Sequence, residues 1–172
     1  EDGSFASTGG RPARGVSCIR DARLAVGLDV TRGHVSAVLT DLSGGIVRGI
    51  RRSVPFSDTE PYYRGLGEIA REVIGETPPE RLLGAGVSFP GILAAGGGIR
   101  SSHVLGLGAR EEEDFTRFLP CRAMLCNDAS AAGRAELWGR EGGSNAVYLS
   151  LSNSVGGAIL LGGSLYEGEN LR

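Results

Sequence analysis

The chain has 172 residues, 41% of them hydrophobic and 22% charged, which is typical of a globular protein and excludes a disordered or collagen-like chain. Its 18 basic and 20 acidic residues leave a net charge of −2, so the sequence has no basic footprint for nucleic acid. The basic residues are all arginines, which excludes a mechanism that needs a lysine on a phosphate. No apolar run approaches the roughly 18 residues of a membrane span, and the first residues lack the pattern of a signal peptide.

The cysteines and histidines follow no metal-binding pattern. Cys18, Cys121 and Cys126 include no C-x-x-C pair, and their odd number argues against a disulfide framework. His34 and His103 stand far apart in the sequence, without a partner at metal-ligand spacing. We therefore expect no metal site, and the free thiols favour a cytoplasmic location.

The first half of the chain predicts a linker, three strands and a helix. Residues 1–15 are rich in Gly, Ser and Arg and lack periodicity, which is typical of a linker. Alternating and apolar segments separated by glycine-rich turns predict an antiparallel meander over 24–29, 34–41 and 46–54. After Pro61, apolar residues at 3.6-residue spacing predict a helix that ends before Pro78.

The second half predicts alternating strands and helices. The almost wholly apolar segment 82–89 is typical of a buried parallel strand, and a glycine-rich loop with room for a short strand pair follows it. The remaining patterns predict a helix over 111–119, a strand over 122–126, a helix over 129–139, and a hairpin of strands 146–151 and 157–161.

This order of elements predicts an α/β fold. Three antiparallel strands followed by alternating helices and parallel strands fit the ribonuclease-H-like domain shared by actin, sugar kinases and heat-shock ATPases. We accordingly divide the chain into a linker and first-strand region (1–22), an actin-like domain with the order βββαβαβα (23–143), and the opening β-hairpin of a second such domain (144–172).

Polar residues at strand ends give three candidate ligand sites. Asp29 ends the first strand before a tight turn, where a carboxylate can hold a metal or orient a phosphate, although turn capping is the simpler interpretation. Asn127 and Asp128 follow a buried strand, at the edge where open α/β sheets bind ligands. There Asp128 can accept a hydroxyl proton and Asn127 can bind a polyol, but helix capping explains both residues equally well. The segment 151–159 contains a small-residue turn between two strands, which can cradle a phosphate with backbone amides or be a plain hairpin.

At these segments the chain resembles the ROK family, named for repressors, open reading frames and kinases. The segment 126–132, Cys-Asn-Asp-Ala-Ser-Ala-Ala, is similar to the family's Glu-Asn-Asp-Ala-Asn-Ala-Ala and is the most specific match. Residues 86–91 resemble the family strand that ends in Pro-Gly, and 101–107 correspond to its Asn-Leu-Pro-Gly-Trp segment. Residues 155–159 resemble the phosphate-two segment, and 166–170 resemble the loop before a Gly-Glu-x-Gly-His motif.

The resemblance implies an actin-like fold that binds a sugar in the cleft between two domains. It implies that Asp128 occupies the position of the kinases' general base, which takes the proton of the attacking sugar hydroxyl. It also implies that Asn127 contacts a sugar hydroxyl and that Gly91 and His103 lie near the sugar. The positions that correspond to the family's phosphate-binding segments are Asp29, Thr31, Arg32 and Gly33 in phosphate-one, and Ser154, Gly156 and Gly157 in phosphate-two.

The chain departs from the kinases in both phosphate-binding segments. Kinases of the family carry Asp-x-Gly-Gly-Thr at phosphate-one, whereas Thr31 and Arg32 replace the two glycines here. At phosphate-two, residues 152–154 read Ser-Asn-Ser instead of Gly-Thr-Gly. Side chains therefore fill positions where backbone amides should face phosphate, and we expect ATP binding and catalysis to be lost.

A linker motif favours a repressor over a kinase. Repressors of the family sense sugars without phosphorylating them and carry Gly-Gly-Arg-Pro after a winged helix, and residues 9–12 have the same sequence. We therefore expect a non-catalytic, sugar-sensing fragment of a ROK-type transcriptional regulator, with a fragment of a sugar kinase as the alternative. The resemblance implies that the winged helix, the family's zinc motif and most of the second domain lie outside this chain. We expect no cofactor here, a sugar or sugar-phosphate effector, DNA binding only through the winged helix, no membrane contact, and a homo-oligomer.

Overall fold

The computed structural model describes residues 15–138, 145–151 and 155–168, and the larger of the sheets in this part of the chain has five strands. The strand order is β3-β2-β1-β4-β7. The strands are β1 (Leu24–Val30), β2 (Val35–Asp41), β3 (Ile46–Arg52), β4 (Leu82–Phe89) and β7 (Ala123–Asn127). β2 runs antiparallel to β1 and β3, whereas β4 runs parallel to β1 and β7. The predicted meander and the predicted parallel strands are both present.

The hydrophobic core lies on one face of this sheet. Helix α1 (Glu60–Ile74) packs on that face with buried side chains that recur at the spacing of successive helical turns. T-shaped ring contacts join five aromatic side chains across the core, in the order Phe56, Tyr62, Tyr63, Phe115 and Phe89.

Strand β4 is buried on one face only, although its apolar sequence predicted burial on both. Ala85, Val87 and Phe89 are buried under the helices, whereas Gly84, Gly86 and the other alternate residues are only half-buried. The second face of the sheet carries small residues at these positions.

The segment between β4 and β7 holds a short ribbon and a short helix. Strands β5 (Ile92–Leu93) and β6 (Ile99–Ser101) pair antiparallel, as the predicted loop allowed. Helix α2 (Glu112–Thr116) is shorter than the predicted range 111–119. After the helix the chain forms a turn in which the Leu119 N–H donates a hydrogen bond to the Thr116 carbonyl. The helix does not continue through Leu119 because Pro120 disfavours helical backbone at the residue before it.

Helix α3 (Asp128–Leu137) packs against a second, three-stranded sheet with the order β10-β9-β8. This sheet consists of β8 (Ala146–Leu151), β9 (Val155–Leu161) and β10 (Ser164–Leu165), all antiparallel. The approach is close, since a Cβ at Gly133 would lie 2.9 Å from the Ala158 Cβ. The predicted hairpin is present, and β10 is an additional strand. The domain boundary after residue 143 stays a prediction, and α3 packs across it.

Several predicted features lie outside the described residues. They are the Gly-Gly-Arg-Pro motif at 9–12, the turn residues Ser152–Ser154, and residues 169 and 170. Within the described part, no helix has both the length and the apolar sequence that crossing a membrane requires.

Candidate functional site

The carboxyl ends of three parallel strands form the edge at which predicted site residues meet. Asp29 of β1 lies opposite Ser88 of β4, and Ser88 lies opposite Cys126 of β7. The Ser88 hydroxyl donates a hydrogen bond to Asp29 Oδ1 at 3.0 Å. Asn127 ends β7 and Asp128 begins α3. The carboxylates of Asp29 and Asp128 therefore both stand at the edge where open α/β sheets bind ligands.

Asn127 is the N-cap of α3. Its Oδ1 accepts a hydrogen bond from the Ser130 N–H at 2.9 Å, which satisfies one of the unpaired amides of the first helical turn. Its Nδ2 donates to the Gly91 carbonyl at 3.1 Å and to Asp128 Oδ1 at 3.0 Å. The capping interpretation of the Asn127-Asp128 pair is therefore correct for Asn127.

Asp128 is the first residue of the helix. Its Oδ1 accepts hydrogen bonds from Asn127 Nδ2 and from the Ala129 N–H at 2.8 Å. The carboxylate lies at the positive end of the helix dipole, which stabilises its charge. One oxygen is thus held in place by the protein, whereas none of the described residues donates a hydrogen bond to Oδ2.

The turn that corresponds to phosphate-one is closed by its own threonine. Thr31 Oγ1 accepts a hydrogen bond from the His34 N–H at 3.1 Å and a longer one from the Gly33 N–H at 3.4 Å. The Thr31 N–H donates to the His34 carbonyl at 3.0 Å, and Oγ1 lies 2.9 Å from that carbonyl oxygen and 2.9 Å from His34 Nδ1. The two amides point at the threonine hydroxyl, and the Arg32 side chain is exposed.

The Pro90-Gly91 turn joins β4 to this site. A Cβ at Gly91 would lie 2.8 Å from the Ser101 carbonyl oxygen, so the chain requires glycine at this close approach. Ser102 is 2% exposed, donates to the Pro90 carbonyl, and accepts a hydrogen bond from the Leu105 N–H at 3.2 Å. His103, next to Ser102, is exposed.

Burial and the charges near the sheet edge shift the pKa of Cys126. Burial raises the pKa of the Cys126 thiol; Arg134 opposes this shift, whereas Asp128 and Asp29 add to it. The thiol donates a hydrogen bond to the Val87 carbonyl at 3.5 Å. A protonated, hydrogen-bonded thiol is a poor nucleophile, so Cys126 is not a candidate reactive cysteine.

The glycines of the predicted phosphate-two segment have packing roles. A Cβ at Gly156 would lie 3.1 Å from the Ala129 Cβ, and one at Gly157 would lie 3.0 Å from the Tyr148 carbonyl oxygen. Gly156 therefore lies against the residue that follows Asp128, next to the sheet edge. A phosphate-binding role for Gly156, Gly157 and Ser154 stays a prediction, since Ser154 lies outside the described residues.

The structure brings Asp29, Gly91, Asn127 and Asp128 to one edge and adds two serines that sequence reasoning missed. Ser88 was detectable as the polar residue of an otherwise apolar strand. Ser102 gave no local signal, because its partner is a backbone carbonyl twelve residues away. Among the residues that the structure describes, no group of three or more His, Cys, Asp and Glu side chains could hold a metal ion.

The chain as a whole is similar to curated proteins and to solved structures. The xylose repressor of Bacillus subtilis (strain 168) is 25% identical over 175 residues, which cover 98% of this chain and 45% of the repressor. The chain therefore spans less than half the length of that relative.

Solved structures share the fold. A ROK family transcriptional regulator, homologous to the E. coli MLC protein, superposes with a TM-score of 0.70 at 16% identity, over 88% of this chain and 40% of that one. The ROK hexokinase from Thermus thermophilus superposes with a TM-score of 0.71 at 25% identity, over 86% of this chain and 50% of the hexokinase. The described residues thus have the actin-like fold of these proteins. The sequence model of the ROK family matches residues 25–171, and the chain belongs to the ROK family.

Proposed function

We propose that this chain is the sugar-sensing part of a ROK transcriptional regulator and that it transfers no phosphate. The xylose repressor of Bacillus subtilis aligns with 98% of the chain, which supports a regulator. Kinases of the family share the fold as well, so the fold alone does not separate the two functions. The separation depends on the residues at the sheet edge.

The observation that carries the proposal is the hydrogen bonding of the phosphate-one turn. Backbone amides bind phosphate when they point together into open space. The amides of Gly33 and His34 instead donate to Thr31 Oγ1, and the exposed Arg32 side chain stands where the kinases have glycine. A nucleotide phosphate would have to displace the threonine hydroxyl, and the chain has no lysine to compensate.

The effector site in this proposal is the sheet edge around Asp128. In this proposal Oδ2 of Asp128 accepts a hydrogen bond from a hydroxyl of a sugar or sugar phosphate, Gly91 and His103 lie near the ligand as the family resemblance implies, and the rest of the site comes from a second domain. DNA is bound through a winged helix outside the described residues, which puts the protein in the cytoplasm, where bacterial DNA is. D-xylose is the first effector to test, because of the name of the aligned repressor.

The test uses protein expressed from its full reading frame and DNA from upstream of its gene. Fluorescence anisotropy follows DNA binding while D-xylose, D-glucose and their phosphates are titrated without nucleotide. We expect one of these ligands to shift the DNA affinity. In parallel, sugar-dependent ADP release is measured, with the Thermus thermophilus hexokinase as positive control. ADP release above background in this protein would support the kinase alternative and contradict the proposal.

A further inference from the structure

A cavity of about 310 Å³ lies between helix α1 and the edge of the sheet that β2 and β3 form. We call it the α1 cavity. Its wall is mainly apolar and includes Val35, Val54, Leu66 and Ile69. Since an apolar cavity of about 150 Å³ can hold benzene, the α1 cavity has room for a molecule with one ring and a short polar arm. None of its lining residues belongs to the candidate effector site at the carboxyl ends of the strands.

Gly65 gives up helix stability at this cavity. It lies in the interior of α1 and lines the cavity, and a glycine inside a helix is less stable there than alanine. Apart from its chain neighbours and its own helix backbone, a Cβ at Gly65 would have no described atom within 4 Å. In the same helix a Cβ at Gly67 would lie 2.3 Å from the Phe118 carbonyl oxygen. Packing therefore requires glycine at position 67 but not at position 65.

Tyr62, which also lines the cavity, is a second departure from stable packing. Its ring makes a T-shaped contact with Phe56 at 5.0 Å between centroids, and burial raises the pKa of its hydroxyl to about 12. Among the described residues this buried hydroxyl has no hydrogen-bond partner, and an unpaired buried hydroxyl costs stability. Two such departures on one cavity are typical of a binding site, because sites give up local stability for function.

Three charged side chains at the cavity determine which ligand charge it favours. Arg52 of β3 forms an ion pair with Glu72 of α1. Glu68 lies one helical turn before Glu72 and is exposed, and within the described ranges no cation pairs with it. A cationic ligand can therefore pair with Glu68 while the Arg52–Glu72 pair stays intact. An anionic ligand would have to displace Glu72 from Arg52 and would be repelled by Glu68.

We propose that the α1 cavity is a binding site for a small organic cation. An aromatic or branched aliphatic body lies against the apolar wall, and an ammonium group pairs with Glu68. The site is separate from the sheet edge around Asp128, so this proposal does not depend on the proposed function.

Benzylamine is the ligand to test, because benzyl alcohol and phenylacetate present the same ring with a neutral and an anionic group. Saturation-transfer NMR on protein expressed from its full reading frame measures the three affinities. We expect benzylamine to bind with a dissociation constant of roughly 1–10 mM, as a ligand of this size allows, and benzyl alcohol to bind more weakly. Phenylacetate that binds as tightly as benzylamine overturns the proposal, and so does the absence of saturable benzylamine binding.

Variants of two lining residues locate the bound molecule. Gly65→Phe extends a ring from the wall and should abolish benzylamine binding, whereas the single methyl of Gly65→Ala should weaken it less and raise Tm. Glu68→Gln should weaken benzylamine binding by roughly twofold to fivefold, as expected for an exposed ion pair.

Glu80→Gln is the matched control, since Glu80 is exposed and does not line the cavity. Benzylamine binding that is unchanged in Gly65→Phe places the molecule elsewhere and overturns the proposal. If Gly65→Phe fails to fold, Glu68→Gln decides, and an affinity equal to that of Glu80→Gln overturns the proposal.

Discussion

Thr31 shows how one side chain can change the use of a turn. In the ROK kinases a glycine stands at the corresponding position of phosphate-one. Here the threonine hydroxyl accepts hydrogen bonds from the backbone N–H groups of Gly33 and His34. Its contribution is therefore structural, and it can be measured in the free chain.

We expect Thr31→Val to destabilise the chain by about 1–2 kcal/mol, because it leaves the partly buried His34 N–H without its acceptor. Thr40→Val is a suitable control, since the Thr40 hydroxyl makes one long bond of 3.3 Å to the Ala25 carbonyl within a strand that favours valine. Urea denaturation of both variants measures the difference. Equal stability of the two variants would mean that the Thr31 hydroxyl does not hold the turn.

Substitution of Asp128 should affect ligand binding more than folding. Asp128 is not the N-cap, so its removal costs the helix the favourable interaction with the dipole, about 0.3–1 kcal/mol, together with the two hydrogen bonds that Oδ1 accepts from partly buried donors. A hydrogen bond between a ligand and a charged group is worth about 1.5–3 kcal/mol. We therefore expect Asp128→Ala to weaken effector binding by roughly tenfold to a hundredfold, with a small change in Tm.

Calorimetric titration with the effector and thermal melting of the same variant check this expectation. Asn127→Ala is the informative comparison, since it removes the cap and should lower Tm more than Asp128→Ala does. A sharp fall in Tm for Asp128→Ala with unchanged sugar affinity would assign Asp128 to structure alone.

At the scale of elements, an acidic residue ties the ribbon segment to helix α1. Asp58, in the loop before the helix, accepts a hydrogen bond from the Tyr63 hydroxyl at 2.7 Å and pairs with Arg110. Arg110 in turn pairs its backbone with Ile99 at 2.8 Å in both directions. The bonds from Arg110 and Tyr63 lower the pKa of Asp58 below its ordinary value of 3.8.

This direction fixes the pH dependence. A carboxyl with a lowered folded pKa stabilises the fold fully above about pH 4–5, and the contribution is lost as the pH falls through the folded value. We expect Asp58→Asn to lower Tm by about 2–4 °C at pH 7, and the difference from wild type to shrink below about pH 4. Glu60→Gln, which breaks an exposed pair with Arg64, should change Tm little at either pH. A difference for Asp58→Asn that stays constant down to pH 3 would contradict the assignment.

The elements that the sequence predicted well are those with local patterns. Alternation and turn glycines located the meander, and helical spacing located α1 and α3. Strand β10 has only two residues, too few to show an alternating pattern. Helix α2 ends earlier than its sequence pattern predicted, and Pro120, which follows the predicted range, disfavours helical backbone at the residue before it. At the site, the motif around Asn127 and Asp128 was visible, whereas the role of Ser102 depends on a contact that only the folded chain creates.

At the scale of the whole molecule, the second sheet has one apolar face without cover in the described residues. Side chains of this face are 47% to 78% exposed, and they are Val147, Leu149, Leu151, Val155, Ile159 and Leu161. The opposite face packs on α3. Strands that are apolar on both faces indicate burial on both, and within the described ranges no further strand pairs with the outer edge of β8.

We expect the 172-residue chain to self-associate through this face. Light scattering should give a dimer or larger species, and Leu149→Glu in the middle of the face should shift the chain towards the monomer. Val47→Glu, a charge on exposed strand β3, is the control and should leave the association unchanged. A monomeric wild-type chain at high concentration would contradict this prediction.

The proposed function requires that this member of the ROK family binds a sugar at the sheet edge and binds no nucleotide. Isothermal calorimetry with Mg-ATP tests it most directly, on protein expressed from its full reading frame, with and without saturating effector. We predict no binding heat from ATP in either titration, because the backbone N–H groups that a phosphate would use already donate hydrogen bonds to the Thr31 hydroxyl. A micromolar dissociation constant for ATP, strengthened by the sugar, would contradict the claim and identify the chain as part of a kinase.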